Sequence, residues 1–254
     1  MIDCHCHFEQ KEYDKDRNKI IEKCKKQLKA IITSSAHPKD IKLTLELTKK
    51  YPNFIFAAIG LHPTYIKELT EEQINKTIEA IKNNKDKIVA VGEIGLDYFW
   101  IKEEEWQEKQ RQLFKKMIKI VKELGLPLVI HSRNAREDTI KILEEEGMKR
   151  KKVLMHLFTD RKNLQRVIDN GWFVSIGPGI KRSKNLRKIA RDTPLNKILL
   201  ETDSPWFAQE NQKYGTPLNI KIAAKKIAEI KKLTIEQVEK QTDLNAIEFF
   251  NLEW

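Results

Sequence analysis

Two histidines one residue apart, His5 and His7, lie in the opening run Asp3-Cys4-His5-Cys6-His7. Side chains of an extended strand alternate between faces, so this spacing puts both imidazoles on one side and directs Cys4 and Cys6 to the other. A Cys/His zinc knot fits that alternation poorly, whereas a chelating His-x-His pair fits it well. Candidate partners for such a pair are Glu93 in Val-Gly-Glu-Ile-Gly-Leu-Asp, Asp203 in Leu-Leu-Glu-Thr-Asp-Ser-Pro, and the histidines that close or follow other short apolar runs, His37, His62, His131 and His156. Imidazole and carboxylate are ligands for borderline to hard divalent ions. Each residue taken alone has a structural explanation, as a hydrogen-bonded interior histidine or a carboxylate anchoring a loop. Four imidazoles and two carboxylates gathered in one place do not, because carboxylates stripped of water need compensating charge.

The order of elements is what would gather them. Eight short apolar, β-branched runs alternate with longer amphipathic stretches: Ile2 to His7, Ala30 to Ser34, Phe54 to Gly60, Ile88 to Ile94, Leu128 to His131, Val153 to His156, Trp172 to Ile176 and Ile198 to Asp203. Helical spacing is clearest from Glu103 to Leu124, where Trp106, Gln110, Leu113, Met117, Ile120 and Leu124 recur, and Gly125-Leu126-Pro127 ends that helix before the next strand. Eight βα units predict one α/β domain over residues 1–254, a TIM (β/α)8 barrel with additional C-terminal helices. Those helices are expected from Ile220 to Lys232, from Thr234, and as a short last one from Thr242 to Phe250. In this fold catalytic groups come from the C-terminal ends of the strands and the loops that follow. All six histidines, His5, His7, His37, His62, His131 and His156, fall there, as do Glu93 and Asp203.

Lysine and arginine number 48 against 37 acidic residues, a net charge of +11. That excess suits a polyanionic partner such as nucleic acid, and equally suits solvated helix surfaces. The three cysteines form no disulfide framework, the chain opens without a secretory pattern, and no run of 18 apolar residues occurs, so a cytoplasmic protein without membrane contact is expected. Loops expected at the barrel mouth interleave Arg133, Arg136, Arg161, Lys181 and Arg182 with Tyr65, Tyr98, Phe99, Trp100, Trp206 and Phe207. Such a mixture suits a single strand or a frayed end, with phosphates against cations and unstacked bases against rings. The basic run Lys149 to Lys152 precedes a strand and is expected at the opposite, solvated end.

Taken in order, Asp3-Cys4-His5-Cys6-His7, Gly60-Leu61-His62-Pro63, Gly92-Glu93-Ile94-Gly95-Leu96-Asp97-Tyr98, Ile130-His131-Ser132-Arg133 and Glu201-Thr202-Asp203-Ser204-Pro205 resemble the TatD-related family of metal-dependent deoxyribonucleases, within the amidohydrolase superfamily. The resemblance runs nearly the whole chain. It implies two divalent metal ions, Mg, Mn or Zn, with His5, His7 and Asp203 at one, His131 and His156 at the other, and Glu93 bridging them. It also implies phosphate binding by His62, helped by Arg133, and catalytic roles for Glu93 and Asp203, the latter accepting a proton from the attacking water. Asp3 and Glu201 share strand faces with neighbouring ligands and are candidates for orienting them. Two stretches depart from the family pattern: His156-Leu157-Phe158-Thr159-Asp160 stands where Cys-Phe-Ser-Gly commonly follows the strand, and Gln209 to Pro217 lacks an Arg and an Asn-Glu-Pro run. Both leave the implied ligands intact and bear on substrate choice. DNA, single-stranded or frayed, is the expected substrate. The alternatives are another bond hydrolysed at the same centre, such as the ester of aminoacyl-tRNA, and a non-catalytic nucleic-acid-binding protein, against which the complete ligand set argues.

Overall fold

The apolar runs become strands β1 (Ile2–Cys6), β2 (Ala30–Ser35), β3 (Ile55–Ile59), β4 (Ala90–Asp97), β5 (Leu128–Arg133), β6 (Val153–Met155), β7 (Phe173–Ile176) and β8 (Ile198–Leu200) in a computed structural model that describes residues 1–253. The amphipathic stretches become helices α1 (Arg17–Lys25), α2 (Ile41–Lys50), α3 (Glu71–Asn83), α4 (Glu104–Leu124), α5 (Arg136–Glu145), α6 (Leu164–Asp169), α7 (Lys184–Asp192), α8 (Ile220–Lys231) and α9 (Ile235–Phe250). The strands form an eight-stranded sheet in sequence order, each parallel to the next. Closure between β8 and β1 lies just beyond the regular ladder, where the Asp203 N–H donates to the His5 carbonyl (2.9 Å) and the His7 N–H to the Ser204 carbonyl (2.8 Å). Three predicted ligands therefore meet at the seam of a TIM barrel.

Strand alternation sorts the apolar residues into two layers. Ile2, Cys4, Ala30, Ile32, Ala58, Ala90, Val129, Leu154 and Leu199 fill the interior, and Ala246, Phe249 and Phe250 of α9 plug its N-terminal end. Ile31, Ile55, Ile59, Val91, Ile130 and Met155 face the surrounding helices. Two steps along from Val129 and Leu154 stand His131 and His156, so period two itself turns both imidazoles inward above the packed layer. Lys152 lies at the plugged end, donating to the Glu248 carbonyl of α9 (2.5 Å), which places the basic run away from the mouth as expected.

Two expectations need correction. The β1–β2 register shifts between Asp3 and Cys6, so Cys4 joins the interior layer below His5 while Cys6 packs in the outer layer. Simple alternation therefore separates only Cys6 from the histidines. The C-terminal region is also one helix from Ile235 to Phe250, with no separate helix beginning at Thr242. A capping box between Thr234 and Gln237 starts α9, and the Thr242 hydroxyl donates back to the Val238 carbonyl (2.8 Å), a bond that lies inside the helix without breaking it.

Candidate metal centre

Glu93 sits in the middle of the mouth because β3, β4 and β5 approach each other unusually closely there. A β-carbon on Gly95, whose φ is 142°, would stand 2.0 Å from the His131 carbonyl oxygen, and one on Gly60 would stand 2.6 Å from that of Glu93. Only glycine permits both approaches. The β4–β5 register also shifts between Val91 and Ile94, so both strand irregularities fall on ligand-bearing stretches.

Around this carboxylate the ligand atoms converge. Glu93 Oε2 lies 3.3 Å from His5 Nε2 and 3.6 Å from His7 Nε2, while Oε1 lies 3.1 Å from His131 Nδ1 and 3.4 Å from His156 Nε2. Asp203 Oδ1 stands 3.3 Å from His7 Nε2 and 3.7 Å from His5 Nε2. Three overlapping groups bring their ligand atoms within 4.8 Å of one another: His5, His7 and Asp203; His5, Glu93 and His156; and His62, Glu93 and His131. His131 and His156 both lie against Glu93 Oε1, and the groups place His156 with His5 and His131 with His62.

A second ring of carboxylates decides which imidazole nitrogen faces inward. Glu9 Oε1 takes His7 Nδ1 (3.0 Å), Asp97 Oδ2 takes His131 Nε2 (2.8 Å) and Glu201 Oε2 takes His156 Nδ1 (2.7 Å). A carboxylate accepts, so in the neutral ring the outer nitrogen carries the proton and the inner one presents its lone pair to Glu93. Burial works against protonating these rings. Even so, Glu9 and Asp203 raise His7 well above its ordinary value, Asp97 and Glu93 raise His131, and Glu201 and Glu93 raise His156 to about 9. Burial likewise opposes ionisation of Glu93, yet the charge on His156 and the hydrogen bond with His131 hold it well below the carboxylate range. The field that attracts a proton to these nitrogens attracts a divalent cation equally well, and buried inward lone pairs with two carboxylates suit such ions.

His62 is built differently. Its Nδ1 accepts from the Thr64 N–H (3.3 Å) and lies 2.7 Å from the Thr64 hydroxyl, which leaves the proton on Nε2, directed at His131 Nδ1 (3.1 Å). Burial, reinforced by His131, pulls its pKa down to about 3. His62 is therefore a neutral N–H donor, lacking the inward lone pair that a ligand needs.

The remaining expected residues divide. His5 is fully buried, with Nδ1 lacking a hydrogen-bond partner. Arg133 makes no bond to the ligand cluster; its guanidinium carbon lies 3.9 Å from the Phe99 ring centre and 5.6 Å from that of Trp100. His37 stands apart, packing on Tyr65 (4.7 Å) and capping the turn at Pro38. Asp3 accepts from the Thr202 N–H (3.0 Å) and hydroxyl (2.5 Å), pinning the β8 end to β1. Glu9 and Asp97 went unassigned in the sequence. Glu9 lies in the turn that follows β1 and Asp97 at the end of β4, and neither position shows in sequence which imidazole its carboxylate meets. His7, His62, Glu93, His131, His156 and Asp203 open into a cavity of about 640 Å³ whose walls also include Arg136, Leu157, Trp206 and Phe207.

The family model described as TatD related DNase matches residues 2–251. Among curated relatives, deoxyribonuclease TATDN3 of Homo sapiens is 34% identical over 260 residues, spanning 98% of this chain and 94% of the relative. The uncharacterized metal-dependent hydrolase YabD of Bacillus subtilis is 32% identical over 258 residues, spanning 99% of both. Among solved structures, the TatD homolog YJJV of Escherichia coli matches with a TM-score of 0.90 at 24% identity, covering 100% of this chain and 98% of that one. A TatD family hydrolase from Entamoeba histolytica matches with a TM-score of 0.89 at 22% identity, covering 98% and 97%. At those identities the structural likeness speaks for the barrel.

Proposed function

The chain belongs to the TatD-related DNase family, and from that premise we propose that it is a metal-dependent deoxyribonuclease acting on DNA phosphodiesters, with single strands or frayed ends preferred. The observation that carries this reading is the convergence of four imidazoles and Asp203 on the buried Glu93, with three of the imidazoles backed by carboxylates. Two divalent ions, Mg, Mn or Zn, would supply Lewis acidity and a water of lowered pKa here. His5, His7 and Asp203 would hold one, His131 and His156 the other, and Glu93 both.

The chain's own groups then have distinct tasks. Glu9, Asp97 and Glu201 fix the rings so that no reorientation is needed on binding. Asp203, with φ 53° at the barrel seam, faces the cavity and is the acceptor for the proton of the attacking water. His62 donates from Nε2 to a phosphoryl oxygen without bringing a positive charge. Nucleic acid is favoured over smaller esters by the rim, where Trp100 and Trp206 are 63% and 49% exposed beside arginines.

The test is digestion of end-labelled single- and double-stranded DNA, RNA, aminoacyl-tRNA and p-nitrophenyl esters by protein reconstituted with each metal or stripped with EDTA. DNA should be cut only with metal, single strands faster, and Glu93→Ala should abolish both hydrolysis and metal stoichiometry. Turnover of aminoacyl-tRNA or an ester with DNA untouched would assign the same centre to a different bond.

A further inference from the structure

Not every charged group at the mouth is balanced. Arg133 at the end of β5 and Arg136 at the start of α5 both line the cavity that holds Glu93 and His131. Neither has a carboxylate partner among the described residues, although acids surround them in sequence. Glu137 is taken by Arg166 (2.6 Å), Asp138 by the Tyr98 hydroxyl (2.8 Å) and Arg111 (3.7 Å), and Asp160 by Asn163 (2.7 Å). The neighbouring arginines do have partners, Arg161 with Asp192 (3.0 Å) and Arg182 with Glu210 (3.6 Å). Arg133 and Arg136 are instead held by groups that leave their charge intact. Phe99 and Trp100 flank the Arg133 guanidinium, and the Thr159 hydroxyl bonds that of Arg136.

Two guanidiniums without carboxylate partners in one concave wall offer positive charge and planar forks that match phosphate oxygens. The hydrolysed phosphate is accounted for by the ligand cluster and His62, which neither arginine touches. We propose that Arg133 and Arg136 form a second phosphate subsite, for the phosphate adjoining the scissile one along the same strand. This rests on the deoxyribonuclease reading above and reassigns Arg133 from the scissile phosphate to its neighbour. Trp100, beside Arg133, is then placed for the base of that same nucleotide.

The experiment compares kcat/KM of the metal-loaded protein on the dinucleotides TpT, pTpT and TpTp, and the salt dependence of binding a labelled heptathymidylate in EDTA. Wild type should favour one of the terminally phosphorylated dinucleotides over TpT by about tenfold or more, the effect of charged hydrogen bonds to a phosphate. The R133A/R136A double variant should lose that preference, and its log–log salt slope should fall by about 0.7 for each lost phosphate contact. The R133K/R136K variant should retain the slope while losing part of the preference, since ammonium keeps the charge without the fork. Equal rates on all three dinucleotides in wild type, or an unchanged preference and slope in the double variant, overturn the subsite. Should wild type cleave neither the three dinucleotides nor end-labelled DNA, the nuclease reading falls, and the salt slope decides the subsite separately, an unchanged slope in the double variant overturning it.

Discussion

A histidine binds a cation only through an unprotonated nitrogen, and at His7, His131 and His156 that nitrogen is chosen by a carboxylate on the far side of the ring. Glu201 serves His156 in this way and also accepts the Leu157 N–H (2.9 Å), so Glu201→Gln preserves an acceptor for the backbone while removing the charge. Cation affinity should drop about 10- to 100-fold, read by chelator competition. Unchanged affinity would mean that His156 is not a ligand. That these side chains come together at one mouth was legible in the sequence, because period two and the ends of apolar runs place them at the strand ends of a barrel. The roles of Asp97 and Thr64 depend on which atoms meet across strands and turns, so no spacing rule exposes them.

At the scale of elements, close strand approach and helix clamps carry the site. Gly95→Ala would place a methyl against the His131 carbonyl at a φ that alanine avoids, so this variant should unfold at lower temperature and lose metal binding together, checked by calorimetry and metal analysis. Retention of both would show that β4 and β5 can separate without cost. Beneath the mouth, Arg166 joins α6 to α5 through Glu144 (2.6 Å) and Glu137 (2.6 Å). Hydrogen bonds from Arg166, helped by Asn170, depress Glu144 from an ordinary 4.5 to about 2. A depressed carboxylate stabilises the fold fully above its unfolded pKa and loses that contribution as pH falls toward the folded one. Between pH 4.5 and 2, wild type should therefore lose stability more steeply than Glu144→Gln in denaturant titrations, and parallel curves would contradict the clamp. Helix α4 was legible from its repeat and from Gly125, which ends it at φ 68°. The continuity of α9 was not, because a mid-helix threonine reads as a possible start until its hydroxyl is seen bonded backwards.

For the whole molecule, the charge of +11 comes from cations in excess of the acids. Helix pairs such as Lys76 with Glu72 (2.6 Å) and Lys109 with Glu105 (2.9 Å) cancel, while Arg133 and Arg136 at the mouth have no carboxylate partner among the described residues and add to the excess. If the mouth cations meet a strand, DNA cleavage should fall linearly on a log–log plot against salt, whereas hydrolysis of bis(p-nitrophenyl) phosphate should fall far less. Equal salt dependence would attribute the charge to surface alone. Barrel order was legible because sequential βα units leave few topologies, and among the described residues no helix is long and apolar enough to cross a membrane. The account depends most on cations sitting where the lone pairs point. Crystals grown with manganese and measured at its absorption edge should show two anomalous peaks flanking Glu93, one among His5, His7 and Asp203 and one against His131 and His156. No peak at Glu93, or density only at distant surface carboxylates, would contradict it.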